Sequence, residues 1–202
     1  MPPLLKEEII PLNRATGATS YGGAACENLV KSYFLTNQIN IAEPHVDDGV
    51  DLLIEKPDGW VRGQVKKVVY QLKLDHGMKK RGNEVYRTRF HFNFQGAGRT
   101  CSYLKNGRRQ RKSGEIDYFY HVLLTPYRQL IWETPANLIP LRSDGSFIHG
   151  KTLILDRDNW IRKKAEIDFN QLLVYQRYDP IIFQTYLEFF NKPQSNTLTN
   201  FF

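Results

Sequence analysis

Cysteines, paired histidines and long apolar runs are scarce in this chain, and each scarcity removes a class of function. The two cysteines, Cys26 and Cys101, stand too far apart for a zinc cluster or a disulfide framework and suit a reducing, cytoplasmic setting. None of the five histidines (His45, His76, His91, His121 and His149) has another close enough in sequence to suggest a metal pair. His121, inside an apolar strand, reads as a hydrogen-bonded core residue. No apolar run approaches the ~20 residues of a membrane span, and no basic-then-apolar leader opens the chain. Gly96-Ala97-Gly98 lacks the later glycine and the Lys-Ser/Thr of a nucleotide-phosphate loop. With 202 residues, 41% hydrophobic and 24% charged, the expectation is one folded domain without a membrane partner, ending in a polar tail over 192–202.

Acidic residues are also missing from one place in particular. Between Lys79 and Lys112 there are eleven Lys and Arg but a single acid, Glu84, so this segment carries +10 and the rest of the chain −3. The net +7 is therefore local, and it points to an anionic partner for one segment rather than for the whole surface. Within it, Tyr86 to Gln95 alternates with the period of a strand. Tyr86, Thr88, Phe90, Phe92 and Phe94 form a row that can dock on a core. Arg87, Arg89, His91, Asn93 and Gln95 form the opposite row, made of side chains that read base edges. Arg99, Lys105, Arg108, Arg109, Arg111 and Lys112 then serve as phosphate contacts that set register. Double-stranded DNA is the expected partner.

The remaining pattern is that of an α/β core. Ser20 to Gln38 reads as a helix capped by Ser20, with Ala25, Leu29, Val30, Tyr33 and Phe34 as its apolar stripe. Strands are predicted at Val50 to Glu55 and Trp60 to Leu74, joined by the turn Lys56-Pro57-Asp58-Gly59, and again at Ile116 to Leu124 and Gln129 to Thr134. Asp144-Gly145 marks a tight turn, and Leu153 to Leu155 a short strand. A last helix runs from Pro180 to about Phe190, with Asp179 as cap and Pro180 in its first turn. Phe183, Tyr186, Leu187 and Phe190 on this helix can serve as a subunit interface or dock on the chain's own core.

Asp51 is a carboxylate in an otherwise apolar strand. The midpoint between Asp51 and Gln64 falls in the Pro57-Asp58 turn, so a symmetric hairpin sets the two opposite each other on one face. Lys66, two residues beyond Gln64, shares that face. A carboxylate, an amide oxygen and the Val65 carbonyl suit a hard cation such as Mg²⁺, and the Lys66 ammonium suits an attacking water or a phosphorus centre gaining charge. Glu27 borders the core-facing stripe of the first helix and is a further candidate. Glu55, four residues after Asp51 on the same strand face, is a reserve ligand.

Glu27 in a first helix, then Gly49-Val50-Asp51, then Gln64-Val65-Lys66 resembles the PD-(D/E)xK nuclease superfamily. The likeness is nearest to the branch with Gln at the first position of the last motif, which includes intron-encoded homing endonucleases of cyanobacterial type. Asp117-Tyr118-Phe119, Ile131-Trp132-Glu133 and Pro135 are similar to core strands of that branch, and the likeness covers about residues 20 to 140. The resemblance implies a restriction-endonuclease-like mixed sheet flanked by helices, with a core over about 17–74 and 115–190 and a basic, β-rich DNA-reading insertion over about 75–114. It implies hydrolysis of DNA with Mg²⁺, or Mn²⁺ in its place. Asp51 would be the principal metal ligand, Gln64 a second ligand, Lys66 the catalytic lysine and Glu27 the helix-borne acid. The sequence departs from the pattern in having no Pro before Asp51 and Gln64 in place of an acid. One such site cuts one strand, so a homo-oligomer, dimer or tetramer, is expected. A homing endonuclease, a type II restriction enzyme, a junction resolvase and a catalytically inactive DNA-binding protein all fit this reading.

Overall fold

The computed structural model describes residues 19–45, 49–74, 86–94, 114–125, 127–148, 150–154 and 171–191. Helix α1 spans Thr19–Thr36. It is followed by β1 (Ile41–Ala42), β2 (Leu52–Lys56), β3 (Gly59–Lys67), β4 (Val69–Leu74) and β5 (Tyr86–Asn93). Then come β6 (Tyr118–Leu124), β7 (Arg128–Pro135), β8 (Gly150–Ile154), β9 (Leu173–Tyr178) and helix α2 (Pro180–Asn191). Six strands form one sheet in the order β1-β2-β3-β6-β7-β9, and β4-β5-β8 form a second sheet of three. Only the β3–β6 pairing at the centre of the large sheet is parallel, so the fold is α/β with a mixed sheet. No helix among the described residues is long and apolar enough to cross a membrane.

The large sheet is covered on both faces, and the alternation along β6 shows why. Tyr120 and Val122 point into a cluster with Leu52, Ile54, Val65 and Ile131, closed by Cys26, Val30 and Phe34 of α1. Phe119 and Leu123 point the other way, into a cluster with Leu130, Trp132, Phe92, Phe94, Phe147 and Phe183. Two apolar rows on one strand bury both of its faces at once, and each methylene removed from water adds about 0.8 kcal/mol. The stripe of α1 is centred on Cys26, Val30 and Phe34 rather than on Ala25, which is only partly buried. Residues four apart lie on one helical face, and Cys26 continues the line that Val30 and Phe34 begin.

Several predicted elements shift in ways that matter for function. The helix already includes Thr19, so Ser20 lies inside it rather than capping it. The long strand predicted over Trp60 to Leu74 divides at Val68, whose amide still donates to the Val122 carbonyl at 2.8 Å. Beyond that bond the chain leaves the large sheet, and Val69 pairs with His91 in the second. Val68 is fully buried beneath Phe92 and Phe94, so the division is anchored by packing. The basic strand β5 is therefore the middle of a second sheet whose outer members come from the core strand's extension, β4, and from the last third of the chain, β8. Strands β1 and β9 carry no element in the sequence reading; both lie at sheet edges.

Other local readings hold as the residues dictate. Gly59, at a φ of 119°, closes the β2–β3 turn, a conformation open to glycine. Asp179 Oδ1 accepts the amides of Ile181 and Ile182 at 3.1 and 3.0 Å, the N-cap of α2. Phe183 packs on Tyr127 with ring centroids 4.9 Å apart, so this position of the helix docks on the chain's own core.

Candidate active site

The β2–β3 register pairs Leu52 with Gly63 and runs to Lys56 with Gly59, a symmetric hairpin about the predicted turn. One step beyond Leu52 and Gly63, Asp51 lies across from Gln64. Asp51 is not within the strand, however; it stands at the strand's mouth. Its amide donates to the Gly63 carbonyl at 3.0 Å, and its Oδ2 accepts the Val65 amide at 2.7 Å. A carboxylate on an amide that the backbone ladder would otherwise use ends the ladder there, and for that reason β2 begins only at Leu52. Val65 meets Asp51 through its N–H, and in a strand its carbonyl points to the same edge, where the sequence reading places it as a metal ligand.

Gln64 and Lys66 project from β3 on the face shared with Phe119 and His121 of β6, their register partners. Gln64 is only 2% exposed, and its Oε1 has no hydrogen-bond partner among the described residues. A buried acceptor left unpaired costs about 1–3 kcal/mol, and the Gln64 oxygen shares that state with side-chain atoms of Tyr120, His121 and Thr134. Lys66 is partly buried, and its charge reaches both Glu27 and His121.

Glu27 joins this group from α1. Burial raises its pKa, the neighbouring Asp51 carboxylate raises it further, and Lys31 and Lys66 pull it back. The two carboxylates are close enough for Asp51 to perturb Glu27, and Lys66 is close enough to offset the effect. Among the described residues no three His, Cys, Asp or Glu side chains converge on one point. A cation here would rely on Asp51, Glu27 and the Gln64 oxygen, and the unpaired Oε1 makes that donor set fit Mg²⁺.

One sequence candidate and one acid of the core strands fall elsewhere. Glu55 lies opposite Trp60 near the turn, and its Oε2 accepts from Asn40 at 2.6 Å, so it is remote from Asp51 and engaged. Asp117 precedes β6 instead of lying within it. It accepts the Arg62 amide at 2.7 Å and the Arg62 guanidinium at 3.0 Å twice. Those hydrogen bonds hold its carboxyl below the usual range, which marks a clasp between β3 and β6 rather than a reactive acid.

His121 is fully buried, its Nε2 is 3.0 Å from the Asn93 carbonyl, and burial drives its pKa down to about 3. It is a neutral core residue, as its apolar strand predicts. Phe92 and Phe94 are fully buried, with Phe92 edge-on to Trp132 at 5.3 Å and Phe94 edge-on to Phe119 at 5.5 Å. That part of the aromatic row docks on the core as read, and His91 and Asn93 on the other row are partly buried. In the ladder, Arg87 is paired with Lys73, and Arg89 with Gln71 and Ile154. The proposed contacts Gln95, Arg99, Lys105, Arg108, Arg109, Arg111 and Lys112 lie outside the described residues.

No protein-family model matches the chain, and no curated protein matches it. Among solved structures, a bacterial homing endonuclease is similar at 12% sequence identity, covering 78% of this chain and 88% of that one with a TM-score of 0.42.

Proposed function

We propose that the chain is a Mg²⁺-dependent DNA endonuclease of the PD-(D/E)xK type, with the site at the mouth of β2 and the basic strand of the second sheet on the DNA. The observation that carries this reading is the electrostatic influence of Asp51 and Lys66 on Glu27, with Gln64 across from Asp51 and its buried Oε1 without a partner among the described residues. Mg²⁺, held by Asp51, Gln64 and Glu27, would supply charge to polarise the scissile phosphate and acidify a water. The Val65 amide fixes the Asp51 carboxylate, so that its position is set before DNA arrives. Lys66 would orient the attacking water and offset charge gathering on the phosphoryl oxygens. Glu27, its pKa raised, would hold that water from the helix side.

Strand β4 continues directly from Lys67, so the second sheet begins where the site ends. DNA lying across Arg87, Arg89, His91 and Asn93 of β5 would bring its backbone toward Lys66. Sequence specificity, a homing role and assembly as a homo-oligomer belong to the same proposal.

A second reading keeps the fold as a DNA-binding protein without catalysis, and Gln64 in place of an acid favours it. Long duplex DNA incubated with Mg²⁺ and wild-type protein, Asp51→Ala or Lys66→Ala separates the two. Cleavage by wild type and loss of at least a hundredfold in both variants is the expected result. Binding without cutting, on any DNA that contains the bound site, leaves only the second reading.

A further inference from the structure

The register of the second sheet sorts its residues onto two faces. Cross-strand partners share a face, and neighbours along a strand alternate. Phe92 is fully buried in the core, so its face of β5 is the inner one, and His91 and Asn93 on the other face are only partly buried. On the inner face Leu74, Leu72 and Tyr70 of β4 stand opposite Tyr86, Thr88 and Phe90. Leu153 and Lys151 of β8 stand opposite Phe90 and Phe92. The outer face has a different chemistry. There Lys73 stands opposite Arg87 and Gln71 opposite Arg89, while Val69 of β4 and Thr152 of β8 flank His91. The sequence reading draws its base-reading row from β5 alone; the register adds Gln71, Lys73 and Thr152 from the strands on either side.

Opposite charges across a strand pair stabilise it, and like charges weaken it. Lys73 and Arg87 are like charges directly opposite, with Arg89 two residues further along the same face. No acid occurs anywhere in the three strands to answer them. A polyanion relieves what the sheet itself does not. The dimensions select duplex DNA among polyanions. Three strands about 4.8 Å apart span roughly 10 Å, and the DNA major groove is about 12 Å wide, whereas that of duplex RNA is too deep and narrow for side chains to read. Every second residue of a strand advances about 6.8 Å, which is two base steps of about 3.4 Å.

We propose that β4, β5 and β8 form one recognition face laid in the DNA major groove, with Gln71 a specificity-determining residue beside Arg89 and Lys73 a phosphate contact beside Arg87. The proposal rests on DNA as the partner in the function proposed above and not on cleavage. An amide offers a donor and an acceptor together, which matches N6 and N7 of adenine, as Arg matches O6 and N7 of guanine. Gln71 and Arg89, opposite each other across the strand pair, therefore address neighbouring base pairs. Lys73 is one residue from the end of β4, where a face seated in the groove meets the backbone. A merely solvated face would carry the same residues and read no sequence.

The test selects preferred sites from random duplexes with the full chain in EDTA, then measures affinity for a selected site across a salt series. Gln71→Ala should change the preferred base at one position, next to the position that Arg89→Ala changes, with a roughly five- to hundredfold loss of discrimination there. Lys73→Gln should lower the slope of log affinity against log salt by about 0.9. Lys151→Gln removes the same charge from the inner face and should leave the slope as in wild type. Gln71→Thr, with a side chain suited to strands, serves where the alanine impairs folding. The proposal is overturned by an unchanged preferred site in a folded Gln71 variant, by a slope that Lys73→Gln lowers no more than Lys151→Gln, or by a wild type with no preferred site. Wild type that never cuts DNA, with a preference that still shifts in Gln71→Ala, removes the nuclease reading and leaves this face standing. Cutting with an unshifted preference does the reverse.

Discussion

Replacing Gln64 by methionine separates the cost of the site from its use. Among the described residues Gln64 Oε1 is buried without a partner, so removing it while keeping the side-chain length relieves a penalty of about 1–3 kcal/mol. For a chain of this size each kcal/mol moves the midpoint by about 2–4 °C, so Gln64→Met should unfold roughly 2–12 °C higher than wild type in EDTA. Mg²⁺ should change the comparison. If Oε1 is a ligand, wild type gains stability from the cation by linkage, about 2.7 kcal/mol at a hundredfold excess over Kd, and Gln64→Met gains less. Thermal unfolding followed by circular dichroism, in EDTA and in Mg²⁺, gives all four midpoints. A methionine variant less stable than wild type in EDTA would show that the oxygen is already satisfied. Equal Mg²⁺ responses would remove Gln64 from the cation site. Either result refutes the reasoning. Stabilisation together with lost cleavage is the expected signature of a polar group kept for function at the expense of the fold.

Two further predictions follow from neighbouring residues. His121 titrates at about 3 when folded against 6.5 when free, so the unfolded chain binds the extra proton between those values. Its contribution is therefore present above pH 6.5 and lost as pH falls, by roughly 1.4 kcal/mol per unit. Urea unfolding between pH 5 and 7 should show this slope in wild type and a shallower one in His121→Leu, whatever the variant's absolute stability; equal slopes refute it. At Gly63, a Cβ would lie 2.7 Å from Ile54 Cδ1 and 2.8 Å from Tyr120 Cε2. Gly63→Ala should cost about 1–3 kcal/mol. Because the Gly63 carbonyl holds the Asp51 amide, cleavage should fall with stability; a variant as stable as wild type refutes the close-packing argument.

The parts of this molecule legible in sequence are those fixed by neighbours along the chain. The Lys56-Pro57-Asp58-Gly59 turn sets the β2–β3 register, and the register sets Asp51 across from Gln64. The Asp179 cap and the Phe92 and Phe94 row are equally local, and each side chain declares its partner by type or period. What was not legible depends on distant pairing. Nothing near Val68 marks the place where one predicted strand becomes two, because Phe92 and Val122 decide it from far along the chain. Glu55 satisfies the strand period that makes it a reserve ligand, yet Asn40 holds it at the far end of the hairpin. Asp117 reads as part of a strand, since the Arg62 that claims it belongs to another. Gln64 was visible as a candidate, but its unpaired oxygen was not, for a missing partner has no sequence signature.

The covering of the large sheet limits where chemistry can occur. Both faces of β6 are apolar and closed by α1 on one side and by β5 with α2 on the other, so a polar cluster within either layer would be desolvated without relief. Relief exists only where a layer ends. At the mouth of β2 an aspartate side chain replaces the ladder, α1 presents Glu27, and β3 departs for the second sheet just after Lys66 and Lys67. Three departures from regular structure therefore meet at one end of one strand pair. On the other side of β3 the Asp117 carboxylate is paired with Arg62. Asp51 lies near enough to a second carboxylate, Glu27, to raise that group's proton affinity, with Lys66 near enough to lower it. On the proposed nuclease reading, a cation and a phosphate arriving together with DNA would give the placement of two acids a use.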